Sequence, residues 1–248
     1  MLSQNEQVKA CYLRNTLPPL DEPRNVRIKF RKVGDLQYIS HLDLQRTLHR
    51  ILVRAGIPMW YTKGFNPHAK IVFSTPLSVG AQSECELVDI RIDREMSCER
   101  IKELLNNEVT DELRILDVYI PSTKFSEIMW ANYTIEVCRD GLDGNMVEAL
   151  KRTVSSDELK VTKKTKSGEK EVNIIPLIGK FDAVLSDDGS KIIINALLNV
   201  NADSYLNPDL LLCALDRECD LLSTAPDKIW YTIMRNATYF EDGVTLFR

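Results

Sequence analysis

Hydrophobic and polar side chains alternate with the period of a β-strand at residues 25–32. Apolar residues at every second position predict one buried face, and the positions between them hold the basic residues Arg27, Lys29 and Arg31. The pattern therefore predicts a strand with one face in the core and one positive face in solvent.

Residues 41–55 change to the period of an α-helix, because apolar side chains recur three and four positions apart. Ser40 is the predicted N-cap, Asp43 completes a capping box with it, and Gly56 ends the helix. The residues predicted to face the core are Leu44, Leu48, Ile51, Leu52 and Ala55.

A row of arginines follows the other side of this helix. Arg46, Arg50 and Arg54 are spaced four residues apart, so their guanidinium groups share one face. Ten basic and two acidic residues lie between positions 24 and 72, a local net charge of +8, although the whole chain carries −4. Such a face suits an anionic partner, for example a phosphate group, and a solvated basic surface gives the same pattern.

The predicted elements of the first half follow the order β-α-β-β-α-β. After the first strand and helix come strands at residues 70–75 and 84–92, a helix at 97–109 and a strand at 113–120. This order is typical of a ferredoxin-like fold, in which two helices cover one face of an antiparallel sheet. The opposite face of the sheet is then expected to be open to a partner.

The second half repeats this order less clearly and adds a basic hairpin at residues 158–175. We therefore predict an α+β chain of tandem ferredoxin-like halves with antiparallel sheets. The predicted boundaries are an extension at residues 1–24, a first domain at 25–121 and a second domain at 131–248.

Composition excludes several classes of protein. A chain of 248 residues with 44% hydrophobic and 27% charged residues is long enough for one or two domains with real cores. It has no apolar run close to the roughly 20 residues that span a bilayer and no secretory leader, which predicts a cytoplasmic protein without membrane contact. Its six cysteines form no Cys-x-x-Cys pair, which argues against a zinc ribbon and a disulfide framework.

Four short motifs stand out in and around the basic region. They read Ser-His-Leu-Asp at residues 40–43, Arg-Ala-Gly-Ile-Pro at 54–58, Gly-Phe-Asn-Pro-His at 64–68 and Pro-Leu-Ser-Val-Gly at 76–80. Together they resemble the bacterial radical-SAM-associated domain of unknown function. The resemblance runs from about residue 26 to the end of the chain and is strongest in these four motifs.

The resemblance implies a partner module. Members of this family are fused to, or encoded beside, a radical SAM protein of the B12-binding type, often near genes of ribosome and RNA processing. This chain has no Cys-x-x-x-Cys-x-x-Cys motif for the iron–sulfur cluster, so we expect a radical SAM protein as its partner and no cofactor of its own. The second half departs from the family pattern at Asn173 and Asn207, where aspartate and arginine are usual.

The candidate binding residues lie on the first strand, the helix and the loop at residues 63–70. Gly64 and Asn66 tolerate a left-handed backbone, so this loop can present N–H groups to an anion, although a tight structural connection is the other interpretation. The aromatic residues Trp60, Tyr61 and Phe65 would add base stacking if they are exposed. The full set of candidate binding residues is Arg27, Lys29, Arg46, Arg50, Arg54, Lys63, Asn66, His68 and Lys70.

The histidines allow a catalytic interpretation as well. His41 lies at the first turn of its helix, where the helix dipole favours a neutral ring. With His68 it would supply the acid and base for metal-independent RNA cleavage, as in CRISPR repeat-processing endonucleases, which also pair ferredoxin-like halves. A structural hydrogen bond explains either ring equally well. A metal site built on both histidines with Cys85 or Asp43 has no supporting spacing, and we predict none.

Three functions remain open at this point. The first is a non-catalytic module that binds RNA, such as rRNA or tRNA, or another polyanion, and presents it to the radical SAM protein. The second is an RNA-processing enzyme that uses His41 and His68. The third is a protein-interaction subunit whose basic face docks the radical SAM partner.

Overall fold

The computed structural model describes residues 16–165, 168–222 and 230–248, so most of the predicted extension lies outside the described residues. These ranges form a mixed α+β protein with four α-helices and antiparallel strand pairs. The chain divides into two compact units, one ending at Phe125 and including Arg248, the other comprising Ser126–Phe247. No helix in the described part of the chain has the length and apolar content needed to cross a membrane.

The first unit follows the predicted order of elements. They are β1 (Pro19–Lys32), α1 (His41–Arg54), β2 (Ile71–Phe73), β3 (Ala81–Arg94), α2 (Cys98–Asn106) and β4 (Ile115–Tyr119). The strands lie in the order β4-β1-β3-β2, and every neighbouring pair is antiparallel. Short 3-10 helices at Gly34–Tyr38 and Asp111–Leu113 join β1 to α1 and α2 to β4.

Strand β1 begins at Pro19, not at residue 25 as predicted. Pro19 lies opposite Arg94 and Arg24 opposite Ile92, so the proline-rich segment belongs to the sheet. The sequence prediction failed here because prolines usually exclude a strand. At Pro19 the strand pairs with β3 on one edge only, because β4 pairs with β1 further along, at residues 27–30. The missing N–H of Pro19 therefore costs no hydrogen bond to β4.

The core of the first unit lies between its helices and one face of its sheet. The predicted core face of α1 is confirmed, since Leu44, Leu48, Ile51 and Leu52 are all buried. The opposing sheet positions are Val26, Ile28 and Phe30 on β1 and Val88, Ile90 and Ile92 on β3.

The predicted N-cap of α1 is also confirmed. Ser40 Oγ accepts a hydrogen bond from the Asp43 backbone N–H at 3.1 Å and donates one to the Asp43 carboxylate at 2.8 Å. The carboxylate thus bonds the capping hydroxyl, whereas in a standard capping box it accepts from the backbone N–H of the N-cap residue. The start of the helix is fixed by two local hydrogen bonds.

The opposite face of β1 is not the open positive face that the sequence predicts. Arg27 is 0% exposed, and its Nε and Nη2 lie 2.7 Å and 2.9 Å from the two carboxylate oxygens of Asp89 on β3. Its Nη1 donates to Thr123 Oγ1 at 2.9 Å, and its guanidinium carbon lies 4.2 Å from the centre of the Phe125 ring. The segment after β4 therefore covers this part of the sheet, and Arg27 is removed from the accessible basic surface.

The second unit has the same order of elements with one insertion. Its elements are β5 (Trp130–Cys138), α3 (Gly144–Val154), β6 (Lys160–Thr165), β7 (Gly168–Asn173), β8 (Ile178–Leu185), β9 (Lys191–Asn199), α4 (Pro208–Cys219) and β10 (Trp230–Tyr239). The strands lie in the order β10-β5-β9-β8, and β6 and β7 form a separate hairpin. Without that hairpin, chain order and strand order match those of the first unit.

Asn173 and Asn207, where the sequence resemblance led us to expect aspartate and arginine, both stabilise local structure in the second unit. Asn173 Oδ1 accepts from the backbone N–H of Leu159 at 2.9 Å, and its Nδ2 donates to the Asp157 carbonyl at 3.0 Å. An aspartate could accept the first bond but could not donate the second. Asn207 is the N-cap of α4, since its side chain accepts from the Asp209 N–H at 3.1 Å.

We predict that Arg27→Ala lowers the free energy of unfolding by about 3–5 kcal/mol, because it leaves Asp89 without the partner of a largely buried ion pair. Denaturant titration followed by circular dichroism measures this loss. The matched control is Arg100→Ala, since Arg100 forms an exposed pair with Glu103 on α2 and its loss is expected to change stability by less than about 1 kcal/mol. Equal effects of the two substitutions would contradict a central role for Arg27.

Candidate functional site

The arginine row of α1 lies on one side of the helix, but two of its three charges are already paired. Arg46 Nη1 lies 3.1 Å from Asp43 Oδ1, and Arg54 Nε lies 3.0 Å from Glu108 Oε2. Arg54 also donates from Nη2 to the Glu108 carbonyl at 3.0 Å. Arg50 is exposed and makes no hydrogen bond or ion pair within the described ranges. The row therefore offers less free positive charge than its spacing suggests.

The first turn of α1 holds a carboxylate beside Arg46. The hydrogen bond from Ser40, and then the one from Arg46, keep the pKa of Asp43 below its usual value. Asp43 thus stays ionised at neutral pH, and its negative charge partly neutralises the N-terminal end of the row.

The basic positions of β1 are unequal in their access to solvent. Arg27 is buried, Lys29 is half-buried, and the half-buried Arg31 donates from Nε to the Asp111 carbonyl at 2.6 Å. Of the two β1 residues proposed as ligands from the sequence, only Lys29 can reach a ligand in solution.

The loop at residues 63–70 has a defined base. The Thr62 N–H donates to the His68 carbonyl at 3.0 Å, the His68 N–H donates to Thr62 Oγ1 at 3.1 Å, and an antiparallel bridge joins Tyr61 to Ala69. The His68 ring adds to this closure, since Nδ1 lies 3.1 Å from Thr62 Oγ1 and 3.3 Å from the Asn66 carbonyl oxygen. Residues 63–68 above this base are exposed.

Phe65 at the tip of this loop is fully exposed, which is unusual for a large apolar side chain. Lys63 precedes it and Lys70 follows the closed base, and both lysines are exposed as well. Gly64 has φ +142°, a conformation that residues with a Cβ rarely adopt, and thereby sets the turn into Phe65. The loop combines a presented aromatic ring with two cations.

The other two aromatic residues of this region do not join Phe65. The Trp60 ring lies 5.7 Å from the Arg91 guanidinium carbon, and Tyr61 is partly buried against the core of the first unit. Of the three rings proposed for stacking, only Phe65 is presented to solvent.

His41 and His68 contact different residues of the first unit. The His41 ring packs edge-on against Phe73, with 4.9 Å between ring centres, whereas His68 is bonded to Thr62. Phe73 lies in β2, whereas the contacts of His68 lie at the base of the 63–70 loop. Nor does the described part of the chain hold three His, Cys, Asp or Glu side chains close enough to bind a metal ion.

Comparison with known proteins identifies a family. A family model described as an uncharacterized protein conserved in bacteria (DUF2344) matches residues 25–208. No curated protein matches the chain. Among solved structures, one match is the heme complex of a DypB variant from Rhodococcus jostii RHA1, with 10% sequence identity, 89% coverage of this chain, 94% coverage of that chain and a TM-score of 0.20. A likeness at this TM-score supports no conclusion about fold or function.

We predict that Thr62→Val opens the base of the 63–70 loop, because it removes the hydroxyl that bonds both the backbone and the ring of His68. Amide hydrogen exchange of His68 is expected to become faster, while exchange in α1 stays unchanged. Thr62→Ser is the matched control, since it keeps the hydroxyl. Unchanged exchange of His68 in Thr62→Val would show that the other contacts suffice to close the loop.

Proposed function

This chain belongs to a family of uncharacterized proteins conserved in bacteria, and we propose that it is a binding module that holds RNA or another polyanion for a radical SAM partner in the cytoplasm. We propose no catalytic activity for the module on its own. The radical SAM partner rests on the resemblance of the four sequence motifs, and the ligand class rests on the geometry of the first unit.

The observation that carries the proposal is the 63–70 loop. Proteins that bind single-stranded nucleic acid combine aromatic rings, on which bases stack, with cations that follow the phosphate backbone. Phe65 is a fully exposed ring on a loop closed by Thr62 and His68, and Lys63 and Lys70 flank it. Because the loop is already closed, binding does not have to order it.

The arginine row extends the positive surface beyond the loop. Arg50 has no ion-pair partner within the described ranges. Both side chains of the Arg46–Asp43 pair are exposed, so phosphate can compete with Asp43 for Arg46. Arg54 contributes less because Glu108 holds it through two contacts. Lys29 remains a peripheral contact, whereas buried Arg27 makes no direct contact with the ligand.

We further propose that both units have the ferredoxin-like fold predicted from the sequence. Support comes from the shared chain order and the matching strand orders β4-β1-β3-β2 and β10-β5-β9-β8. Some RNA-binding modules stack bases on the open face of a four-stranded sheet. Here Thr123 and Phe125 cover that face at Arg27, so we place the ligand on the loop and the helix instead.

A protein-interaction role is the second candidate, and exposed apolar side chains favour it. Tyr38, Leu42 and Val79 are 66%, 53% and 60% exposed. A backbone hydrogen bond of 2.8 Å from Gly80 to Gln37 brings the loop that holds Val79 next to Tyr38, immediately before α1. Apolar groups exposed together in this way are typical of a protein-binding surface, and we assign this one to the radical SAM partner.

The catalytic alternative has less support. General acid–base cleavage requires both groups within hydrogen-bond reach of one scissile phosphate. His41 and His68 contact different residues, Phe73 and Thr62, and neither ring contacts the other. We therefore expect labelled RNA to remain intact after incubation with the protein, and cleavage that disappears in His41→Ala would favour the enzyme instead.

We predict that the purified protein retains single-stranded RNA at low salt, with an affinity that falls as salt rises, because Lys63, Lys70 and Arg50 displace counterions from phosphate. Phe65→Ala is expected to weaken binding by about 1–3 kcal/mol through lost stacking, with little change in the salt dependence. Lys63→Ala with Lys70→Ala is expected to weaken binding and to make it less dependent on salt. The double variant Arg46→Ala/Arg50→Ala tests, in the same assay, whether the arginines of α1 contribute to RNA binding.

Lys180→Ala is the control for this experiment, since Lys180 is an exposed lysine on β8 of the second unit. The Lys180→Ala substitution changes the net charge of the protein and leaves the 63–70 loop unchanged. Absence of RNA retention at low salt, or equal losses in the Lys180 and Lys63/Lys70 variants, would overturn the proposal.

A further inference from the structure

A groove of about 340 Å³ opens in the first unit beside the C-terminal half of α1. Its size falls in the range of about 300–1,000 Å³ that is usual for small-molecule sites. The apolar wall consists of Leu36, Ile39, Ile51, Val109 and Leu113. The polar rim consists of Thr47, Arg50, Arg54, Glu108 and Thr110.

The apolar wall continues into the core of the first unit. Ile51 and Leu113 are buried members of that core, while Leu36, Ile39 and Val109 are partly buried and pack against it. Solvent therefore reaches aliphatic side chains that a bound apolar group would cover, which favours binding of such a group.

Within the described ranges, the rim carries one positive charge without an ion-pair partner, that of Arg50. Arg54 is paired with Glu108 by an ion pair of 3.0 Å and a backbone hydrogen bond of 3.0 Å. Arg50 has no such partner within the described ranges, and it lies one helical turn before Arg54 on the same rim. A groove with an aliphatic wall and one free guanidinium complements a molecule with an aliphatic body and one anionic group.

Close packing of two 3-10 helices shapes one end of the groove. Gly34, with φ +61°, stands at the start of the helix that holds Leu36, and a Cβ at this position would collide with the Glu112 carboxylate. The backbone of Val33 donates to the Glu112 carbonyl at 3.0 Å. These contacts hold Leu36 and Leu113 in the lining of one groove, although the two residues are distant in sequence.

We propose that this groove binds a small organic acid with an aliphatic body, whose carboxylate pairs with Arg50. The proposal goes beyond polyanion binding, because it requires the apolar wall and a ligand without phosphates. The lining residues include no aromatic ring on which a nucleobase would stack. Arg50 belongs to both proposed surfaces, so the organic acid is expected to compete with RNA at that residue alone.

Decanoate, used below its micellar concentration, is the probe for this site. Titration followed by amide NMR shifts is expected to show saturable changes at Leu36, Ile51, Val109 and Leu113, with no comparable changes in the 63–70 loop. Acetate lacks the aliphatic body and decyltrimethylammonium carries the opposite charge, so both are expected to bind much more weakly. Equal binding of the cation, or shifts outside the groove, would overturn the proposal.

Two substitutions separate this site from the RNA surface. Arg50→Ala is expected to weaken decanoate binding about tenfold, whereas Arg46→Ala, one turn earlier and outside the groove, should leave it unchanged. Val109→Trp fills the groove without removing a charge, so it should abolish decanoate binding and retain RNA binding. Decanoate binding by folded Val109→Trp would overturn the proposal. If that variant does not fold, the wild-type shift map decides the question.

A nucleotide is the alternative occupant. Adenosine monophosphate titrated in the same way distinguishes it, because its base would need hydrogen bonds that the aliphatic wall does not provide. Saturable binding of this nucleotide in the groove without binding of decanoate would contradict the organic-acid proposal. Loss of RNA retention in the loop variants, with decanoate binding intact, would show that decanoate binding does not depend on the loop.

Discussion

The buried charge of Arg27 is the constraint on which the first unit depends. A guanidinium that is 0% exposed must have its charge and its N–H groups satisfied, and Asp89, Thr123 and Phe125 do this together. The pair spans directly opposite positions of β1 and β3, so it fixes their register, and the segment after β4 has to close over it. The ion pair thereby stabilises this register and the closure of the segment after β4 over one face of the sheet.

This constraint moves the candidate binding surface away from the sheet. With Thr123 and Phe125 over Arg27, the exposed basic residues that remain between positions 24 and 72 are at the loop and on α1. Other basic residues of the same region also satisfy the fold, since Lys32 is buried with its Nζ 3.3 Å from the Gln37 carbonyl oxygen. The net charge of the region therefore overstates the charge available to a ligand.

Helix α1 organises both proposed sites. Its start is fixed by the Ser40 cap, its apolar face is buried in the core, and its C-terminal half forms one wall of the groove. The same helix carries Arg50, which is accessible to the RNA surface and to the groove. A polyanion and a small organic acid would thus meet at one side chain, which gives each ligand a direct influence on the other.

Periodicity in the sequence determined the elements of the first unit, the buried face of α1 and its Ser40 cap, because these depend on neighbours a few residues apart. The tertiary structure alone decided which charged side chains are buried and paired and which remain exposed. Alternation places Arg27 opposite the core residues of β1 but cannot show that Asp89 and Thr123, distant in the chain, enclose it. The groove could not be predicted from the sequence for the same reason, because Leu36, Arg50 and Val109 come together only after folding. Local pattern specifies which residues turn inward, whereas long-range packing specifies which charges remain free to bind.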